Sequence, residues 1–328
     1  MIRVSHLSKK YGNRYALDDV SFTIEKGEIV GLLGANGAGK STTMNILTGY
    51  LSATEGEVYV DGISVLDDPT EAKRHIGYLP EQPPLYFDMT VKEYLDFVYE
   101  LRGCSKDEFP PEKHLSDIMR GVKIEDVKHR LIGHLSKGYR QRVGIAAALV
   151  GYPPLLIFDE PTVGLDPKQI IEVRNLLRTL AKQHTVVLST HILSEVQAVC
   201  ERIVVIKEGR IIANERTEDI TRRMESDGRF RVKIAGASGS EILGAIKGLR
   251  DVARAEQSGA KDGDSYVFSV ETRGGADIRR AVFNLCVERG WVLYGMEKRG
   301  MALEDVFVRL MDDTAAVADD PRDNKRKR

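Results

Sequence analysis

The apolar positions in the first two thirds of the chain follow the pattern of buried strands separated by helices. The run Ile29–Leu33 is apolar on both faces, as in a central strand of a parallel sheet. Further strands are predicted at 155–158 and 186–190, with a helix over 168–181 between them. This alternation predicts βαβ units and therefore an α/β fold with a parallel sheet core.

Strands with one polar face are predicted on either side of this core. Residues 20–24 alternate between apolar and polar side chains, and 57–60 leads into a tight turn. Near the end of this part, 203–206 and 210–213 are joined by Glu208-Gly209 as a hairpin. We therefore expect an antiparallel β subdomain in addition to the parallel sheet.

A helical pattern occupies the chain from residue 88 to about 150. Thr90 and Glu93 have the spacing of a capping box at a helix start. The apolar residues that follow fall on one helix face: Tyr94, Leu95, Val98 and Leu101. This segment interrupts the strand pattern, so we expect it to form an inserted helical subdomain.

A charged stretch separates this part from the rest of the chain. The predicted first domain covers 1–216 and is followed by a linker at 217–228. Strand and helix patterns then alternate as βαββαβ, which predicts a small α+β ferredoxin-like domain over 229–312. Its last helix is predicted at 303–311, and the acidic and then basic residues 313–328 are expected to be a disordered, solvated tail.

Composition narrows the classes of partner and the compartment. The 328 residues carry a formal net charge of −1, which gives no overall field for nucleic acid, so no nucleic-acid partner is expected. The three cysteines are far apart and indicate isolated thiols in a reducing compartment. The longest uncharged stretch, 143–158, is broken by Gly151, Pro153 and Pro154, so the chain is not expected to span a membrane by itself.

The segment after strand 29–33 carries the clearest chemical signal. Residues 34–42 read GANGAGKST, a GxxxxGK[ST] loop between a strand and a helix pattern over 41–48. Such a loop turns its backbone N–H groups and the N-terminus of the helix toward phosphate oxygens. The predicted nucleotide-binding residues are Gly34, Asn36, Gly37, Ala38, Gly39, Lys40, Ser41 and Thr42. Lys40 is expected on the β and γ phosphates and Ser41 on Mg²⁺, so the predicted ligands are a nucleoside triphosphate and Mg²⁺.

Polar residues at the ends of other strands complete a predicted hydrolytic site. Strand 155–158 ends in Asp159, expected to hold Mg²⁺, and Glu160, expected to accept a proton from the attacking water. His191 follows the next strand and could donate to the γ phosphate, although a lone histidine there also fits a capping or surface role. Gln82 suits Mg²⁺ or the attacking water, but a solvated glutamine is the default interpretation of that position.

These features together resemble the ATP-binding cassette ATPases of ABC transporters. The matching elements, in chain order, are Tyr11, the phosphate loop, Gln82, the segment Leu135-Ser136-Lys137-Gly138, Asp159-Glu160, and Gly164-Leu165-Asp166 followed by His191. The resemblance covers residues 2–216. It implies that Tyr11 stacks on adenine, that Ser136 and Gly138 bind the γ phosphate held by a second subunit, and that Asp166 lies at the dimer contact. From the residues alone, Ser136 is a good helix N-cap, and that role by itself would explain it.

The family's usual LSGGQ differs here, because Lys137 replaces the first glycine of the pair and Tyr139 replaces the glutamine. This leaves the detailed geometry of the shared site open.

A narrower similarity links the chain to single-cassette type 2 exporter ATPases for drugs, lipids or polysaccharides. Those proteins also carry a C-terminal extension with a Leu-Glu-Asp-Val-Phe pattern, found here at 303–307. The resemblance implies an ATPase that pairs with a second copy of itself or a similar subunit. It also implies an integral membrane permease as partner and a position at the cytoplasmic face of the cell membrane.

Two other functions are compatible with the sequence. One is a soluble cassette ATPase that acts on DNA or ribosomes, against which stand the single cassette, the lack of heptad arms and the lack of a basic face. The other is a ligand sensor in the C-terminal domain, where the glycines supply turns but no chemical pocket is evident. Regulation of dimer closure and contact with the membrane subunit are further interpretations of this extension, and a module that only packs is an equal one.

Overall fold

The computed structural model describes residues 1–219, 228–259 and 263–299 of the 328-residue chain. The chain divides into two compact units, Met1–Thr217 and the part from Glu218 onward. The predicted helix at 303–311, the tail at 313–328 and most of the linker at 217–228 lie outside the described residues.

The first unit contains two sheets. Its strands are β1 (Ile2–Tyr11), β2 (Arg14–Ile24), β3 (Ile29–Leu33), β4 (Glu55–Val60), β5 (Ile63–Ser64), β6 (Ile76–Leu79), β7 (Leu155–Asp159), β8 (Thr185–Thr190), β9 (Arg202–Lys207) and β10 (Arg210–Arg216). One sheet has the order β2-β1-β4-β5 with antiparallel pairs, which confirms the predicted antiparallel part of the fold. The other has the order β10-β9-β3-β8-β7-β6, parallel except for the β9–β10 hairpin.

Seven α-helices connect these strands within the described residues. They are α1 (Lys40–Leu47), α2 (Pro69–Arg74), α3 (Val91–Leu101), α4 (Pro111–Gly121), α5 (Lys137–Leu149), α6 (Pro167–Leu180) and α7 (Leu193–Val199). Apolar side chains of both sheets and of α1 form one core, in which Leu7, Leu32, Met44 and Val204 are almost fully buried. Strands β3, β7 and β8 are buried along their whole length, as the apolar runs predict for central strands.

Helices α3, α4 and α5 form the helical part of this unit. The predicted capping box is present, because the Thr90 N–H donates to the Glu93 carboxylate at 2.8 Å and the Thr90 hydroxyl accepts from the Glu93 N–H. The predicted buried face of α3 is wrong at its end, where Leu101 is 73% exposed. Tyr99 is buried instead, since its ring packs inward and its hydroxyl donates to the Phe109 carbonyl at 2.6 Å.

The second unit has the predicted βαββαβ order. Its elements are β11 (Arg229–Ala235), α8 (Gly239–Lys247), β12 (Val252–Gln257), β13 (Ser265–Thr272), α9 (Arg279–Arg289) and β14 (Val292–Arg299). The strands pair antiparallel in the order β12-β13-β11-β14, which is the ferredoxin-like arrangement. This unit has its own apolar core, which includes Phe230, Phe268 and Trp291.

Across the described ranges of both units, the helices are all too short or too polar to cross a bilayer.

Candidate active site

The phosphate loop leaves the carboxyl end of β3 and leads into α1. Two of its glycines have left-handed backbones, Gly37 with φ 80° and Gly39 with φ 114°. Gly39 is the N-cap of α1, and it provides no side chain to occupy the N–H groups of the first turn. A helix N-terminus with free N–H groups and a positive dipole end favours anions. The loop therefore has the local structure that phosphate binding requires.

Neighbouring backbone holds this loop closely on two sides. A Cβ atom at Gly34 would lie 2.4 Å from the Ile206 carbonyl oxygen, and one at Gly39 would lie 2.8 Å from the Ala16 carbonyl oxygen. The Gly209 N–H donates to the Ala38 carbonyl at 2.9 Å, in the turn of the β9–β10 hairpin. The loop is thus held between β2 and that hairpin, and only glycine fits at both close approaches.

Lys40 is almost fully buried at the base of the loop. Its Nζ atom donates to the carbonyl oxygens of Gly34 at 2.8 Å and Ala35 at 3.3 Å. The same atom lies 3.7 Å from Oε1 of Glu160. The ammonium group is therefore fixed beside the loop, where it can meet phosphate oxygens.

A cavity of about 450 Å³ opens over the loop. Its lining includes Ala16, Asn36, Gly37, Gly39, Lys40, Ser41, Thr42, Glu81, Glu160, Val163 and His191. Gly34 and Ala38, which also belong to the predicted nucleotide-binding set, are buried and do not line the cavity. The structure therefore brings residues from the ends of β3, β6, β7 and β8 to one edge of the parallel sheet, as expected for a ligand site in an open α/β fold.

Glu160 directly follows β7 and is 7% exposed. Its N–H donates to the Ser189 carbonyl at 2.9 Å, so the end of β7 stays attached to β8. Its carboxylate accepts a hydrogen bond from Nδ1 of His191, with an Nδ1–Oε1 distance of 2.9 Å. A carboxylate held in this way, facing a cavity beside Lys40, is placed to take a proton from a bound water molecule.

His191 lines the cavity, and its side chain is partly exposed. Because Nδ1 faces Glu160, the other ring nitrogen is left for a ligand. The contact with Glu160 supports a role at the site, and the predicted contact of His191 with the γ phosphate stays a prediction.

Asp159 is 4% exposed, and its Oδ1 atom is buried with no hydrogen-bond partner among the described residues. An unsatisfied buried carboxylate oxygen is costly and calls for a partner. Burial raises the pKa of Tyr78, and the negative charge of Asp159 raises it further. Asp159 and the exposed Ser41 hydroxyl provide hard oxygen ligands of the type that Mg²⁺ prefers, so these residues fit that ion.

Gln82 and Tyr11 are among the predicted residues that do not line this cavity, as is Asp159. Gln82 is exposed, and the neighbouring Glu81 forms part of the wall instead. Tyr11 ends β1 and is 53% exposed, with Nζ of Lys9 5.4 Å from its ring centroid. Their roles stay predictions. Glu81 was not predicted from the sequence as a residue of the cavity wall. Its only signal is its place just after β6, and Gln82 has the same place.

Ser136 and Gly138 lie at the start of α5 and not in the cavity wall. The Ser136 hydroxyl accepts from the Tyr139 N–H at 3.4 Å, so Ser136 is the N-cap that the sequence indicates. A Cβ atom at Gly138 would lie 2.6 Å from Cδ of Gln169, which shows how closely α5 approaches α6. Asp166 in turn caps α6, because its Oδ1 accepts from the Gln169 N–H at 2.9 Å.

Comparison with known proteins agrees with this geometry. The family model described as ABC transporter matches residues 17–163. The chain is 32% identical over 313 residues to the ABC transporter ATP-binding protein YxlF of Bacillus subtilis, covering 95% of this chain and 99% of that protein. It is 36% identical over 214 residues to the bacitracin transport ATP-binding protein BcrA of Bacillus licheniformis, covering 65% of this chain and 68% of that protein.

Solved structures of ATP-binding cassettes match about two thirds of the chain. The ATP-binding cassette MJ0796, determined as a dimer in a post-hydrolysis state with ADP and Pi, superposes with a TM-score of 0.60 at 31% identity. The match covers 66% of this chain and 99% of that one. This chain belongs to the ATP-binding proteins of ABC transporters, and its first unit is an ATPase cassette that binds and hydrolyses ATP.

Proposed function

We propose that this cassette works as a pair that encloses two ATP molecules and drives export through a separate integral membrane permease. The observation that carries the proposal is the cluster of Lys40, Glu160 and His191 at the phosphate loop, with Glu160 within 3.7 Å of Lys40 and 2.9 Å of His191. A base, a cation and a second polar group around one cavity fit phosphoryl transfer to water.

In this proposal the residues divide the work of hydrolysis. The loop N–H groups and Lys40 hold and neutralise the phosphates, so the γ phosphate faces Glu160. Glu160 orients the attacking water and accepts its proton, while His191 fixes the carboxylate through Nδ1 and presents its other nitrogen to the phosphate. A base of this kind accelerates a reaction by about 100-fold to 10,000-fold.

Asp159 and Ser41 would hold Mg²⁺ together with the nucleotide, whereas Gln82, which the sequence also predicts as a ligand, does not line the cavity. The unpartnered Oδ1 atom of Asp159 supports this assignment. When bound, the ion neutralises charge on the phosphate oxygens. The protein supplies few ligands of its own, as is usual where a nucleotide completes the coordination shell.

The position of Ser136 and Gly138 supports a second subunit. Both residues begin a 13-residue helix, yet neither lines the cavity of its own chain. The helix N-terminus and the Ser136 hydroxyl suit an anion brought by another copy. A related cassette has been solved as a dimer, which supports the same arrangement here. The second subunit is a copy of this chain or a similar ATPase.

An exposed aromatic surface on the helical part supports a permease contact. Tyr86, Phe87 and Phe97 are 50%, 54% and 39% exposed, and the rings of Tyr86 and Phe97 lie 5.6 Å apart. Exposed aromatic patches of this kind mark protein contacts. We place the permease's cytoplasmic helices there, which would hold the cassette at the cytoplasmic face of the cell membrane.

This contact is tested by exchanging two aromatic residues of the patch for serine, as Tyr86→Ser and Phe97→Ser. We expect the double variant to keep its own ATPase activity and to lose co-purification with the integral membrane protein that the unchanged chain captures. A matched pair, Tyr15→Ser and Tyr50→Ser, removes exposed aromatic residues outside the helical part. Co-purification of the patch variant at the level of the control pair would place the contact elsewhere.

Names of relatives support export as the direction. They include a bacitracin transport protein, a linearmycin resistance protein and lantibiotic transport proteins, all described as ATP-binding proteins. The proposed substrate therefore belongs among compounds that a cell removes or secretes, such as antibiotics, other drugs or lipids.

The catalytic assignment is tested with Glu160→Gln, which keeps the shape of the side chain and removes the base. We expect the variant to bind Mg·ATP, to form a stable dimer in size-exclusion chromatography and to lose turnover by about 100-fold or more. Glu201→Gln, which changes an exposed carboxylate at the start of β9, is the matched control and should hydrolyse normally. Normal turnover by Glu160→Gln would remove Glu160 from its proposed role.

A further inference from the structure

Behind the pair formed by Glu160 and His191 lies a buried carboxylate to which the catalytic scheme gives no role. Glu195 is in the first turn of α7 and is only 2% exposed. Its Oε2 atom accepts from the Thr190 hydroxyl at 2.9 Å, and its Oε1 atom accepts from the Thr162 hydroxyl. Both donors are uncharged and are themselves almost fully buried.

The two threonines belong to the two segments that meet at the active site. Thr162 lies two residues after Glu160, in a turn where the Val163 N–H donates to the Glu160 carbonyl at 3.2 Å. Thr190 is the last residue of β8 and directly precedes His191. One carboxylate therefore connects the segment that carries the candidate base to the segment that carries its histidine partner.

The Thr190 hydroxyl also fixes the backbone on the far side of His191. It accepts from the Ile192 N–H at 3.1 Å while it donates to Glu195. The backbone of His191 is thus held by β8 on one side and by this hydroxyl on the other. The 2.9 Å distance between His191 Nδ1 and Glu160 Oε1 depends on both segments keeping their places.

A carboxylate is an expensive choice for this position if its role is packing alone. Burial of a charged group against neutral donors costs more than burial of an apolar side chain of similar size. The carboxylate can orient two side chains, because its two oxygens accept hydrogen bonds from two hydroxyls at once. We propose that Glu195 is a positioning residue for ATP hydrolysis, which aligns His191 with Glu160 through Thr162 and Thr190. This inference rests on the roles proposed above for Glu160 and His191.

The test compares steady-state ATP hydrolysis by variants of the full chain. Glu195→Gln keeps the size of the side chain but removes the charge and one acceptor, and Glu195→Ala removes both acceptors. We expect kcat to fall about 10-fold to 100-fold, while KM for ATP changes less than about threefold, because misplacement of reacting groups lowers turnover more than binding. Ser194→Ala, an exposed change on the same helix, is the control and should leave both constants unchanged.

The threonines provide a second set of variants in case changes at Glu195 impair folding. Thr162→Val and Thr190→Val remove the donors with little change of shape, whereas Thr162→Ser and Thr190→Ser keep them. We expect the valine variants to lose kcat and the serine variants to retain it, with melting temperatures that do not follow the loss. A purely structural role would lower the melting temperature with kcat unchanged in the folded fraction, and that result would overturn the inference.

Failure of this inference is distinguishable from failure of the proposed mechanism. If Glu160→Gln is inactive while Glu195→Ala and both valine variants turn over within twofold of the unchanged chain, only the positioning role is lost. If Glu160→Gln hydrolyses ATP normally, the catalytic assignment fails, and the role of Glu195 fails with it.

Discussion

At the scale of single residues, the backbone of Glu160 shows how the site is held. Its φ angle is 49°, a left-handed conformation that costs a non-glycine residue about 1–2 kcal/mol. The conformation turns the chain sharply after β7, so that Asp159 and Glu160, although adjacent, take different surroundings. The hydrogen bonds to Ser189 and His191 offset this strain. The two neighbouring carboxylates can therefore serve the two different purposes proposed above, Asp159 as a ligand of Mg²⁺ and Glu160 as the base.

Alanine variants of Glu81 and Gln82 are expected to have different effects on ATP turnover. Because Glu81 lines the cavity and Gln82 does not, we expect Glu81→Ala to lower ATP turnover by about tenfold or more. We expect Gln82→Ala to change it less than about twofold, as is usual for surface substitutions. ATPase assays over a range of Mg²⁺ concentrations measure both. A larger loss for Gln82→Ala would support the sequence-based prediction that Gln82 contacts Mg²⁺ or water.

Much of the phosphate site was readable from sequence, because local motifs dictate it. The glycines of 34–39 and Lys40 act through backbone shape and a short chain distance, and both follow from spacing. The contacts of Glu195 were not readable, since Thr162 lies 33 residues away in the chain and nothing in the local pattern of α7 marks a buried carboxylate. Contacts between distant segments depend on the packed fold, which a single sequence does not display.

At the scale of secondary-structure elements, predictions succeeded where burial is uniform and failed where it is partial. Strands β3, β7 and β8 agree with the predicted runs within about one residue, because fully apolar runs leave few alternatives. In α3, by contrast, the aromatic Tyr99 displaced Leu101 from the buried face. The amphipathic pattern alone could not decide between them, since both lie within a turn of that face.

The packing of α4 against the loop after α5 gives a pH dependence. His114 of α4 is 4% exposed among the rings of Tyr99, Phe109 and Tyr152. Its Nε2 atom accepts from the Gly151 N–H at 2.9 Å, which requires an unprotonated nitrogen. Burial lowers the pKa of His114, and the Asp117 carboxylate opposes this with a smaller effect.

When folding lowers the pKa of a histidine, the folded state becomes less stable in acid. At pH values above about 6.5 the ring is neutral in both states, so folding meets no protonation cost. As the pH falls below that value, the unfolded chain binds a proton that the folded chain resists. The free energy of unfolding should then decrease by at most about 1.4 kcal/mol per pH unit.

Hydrogen exchange of the peptides around 111–121 and 149–153, measured at pH 7 and pH 5.5 and corrected for intrinsic rates, tests this dependence. His114→Gln should weaken it, because the titrating group is gone. His129→Gln is the matched control, since His129 is exposed. Equal acid sensitivity in all three proteins would assign the effect to another group.

At the scale of the whole molecule, each of the two units has an apolar core of its own among the described residues. The first spans both sheets of the cassette, and the second joins the helices and sheet of the ferredoxin-like unit. Each core draws its buried residues from one side of the boundary near Thr217. Separate cores are the property expected of units that fold as domains. The sequence-based division of the chain into 1–216 and 229–312 was drawn at a charged stretch, because the two cores cannot be seen in the sequence.

The hairpin that holds the phosphate loop has a consequence for biosynthesis. Residues 34–39 appear early during translation, whereas Gly209 and Ile206, which fix Ala38 and Gly34, leave the ribosome about 170 residues later. The nascent chain should therefore be unable to capture ATP until β9 and β10 have emerged. Stalled ribosome complexes exposing 1–200 or 1–217 would reveal this with a fluorescent nucleotide, and equal binding by the shorter one would contradict it. Binding of ATP would then require a completed cassette, so ATP could not assist the early steps of its folding.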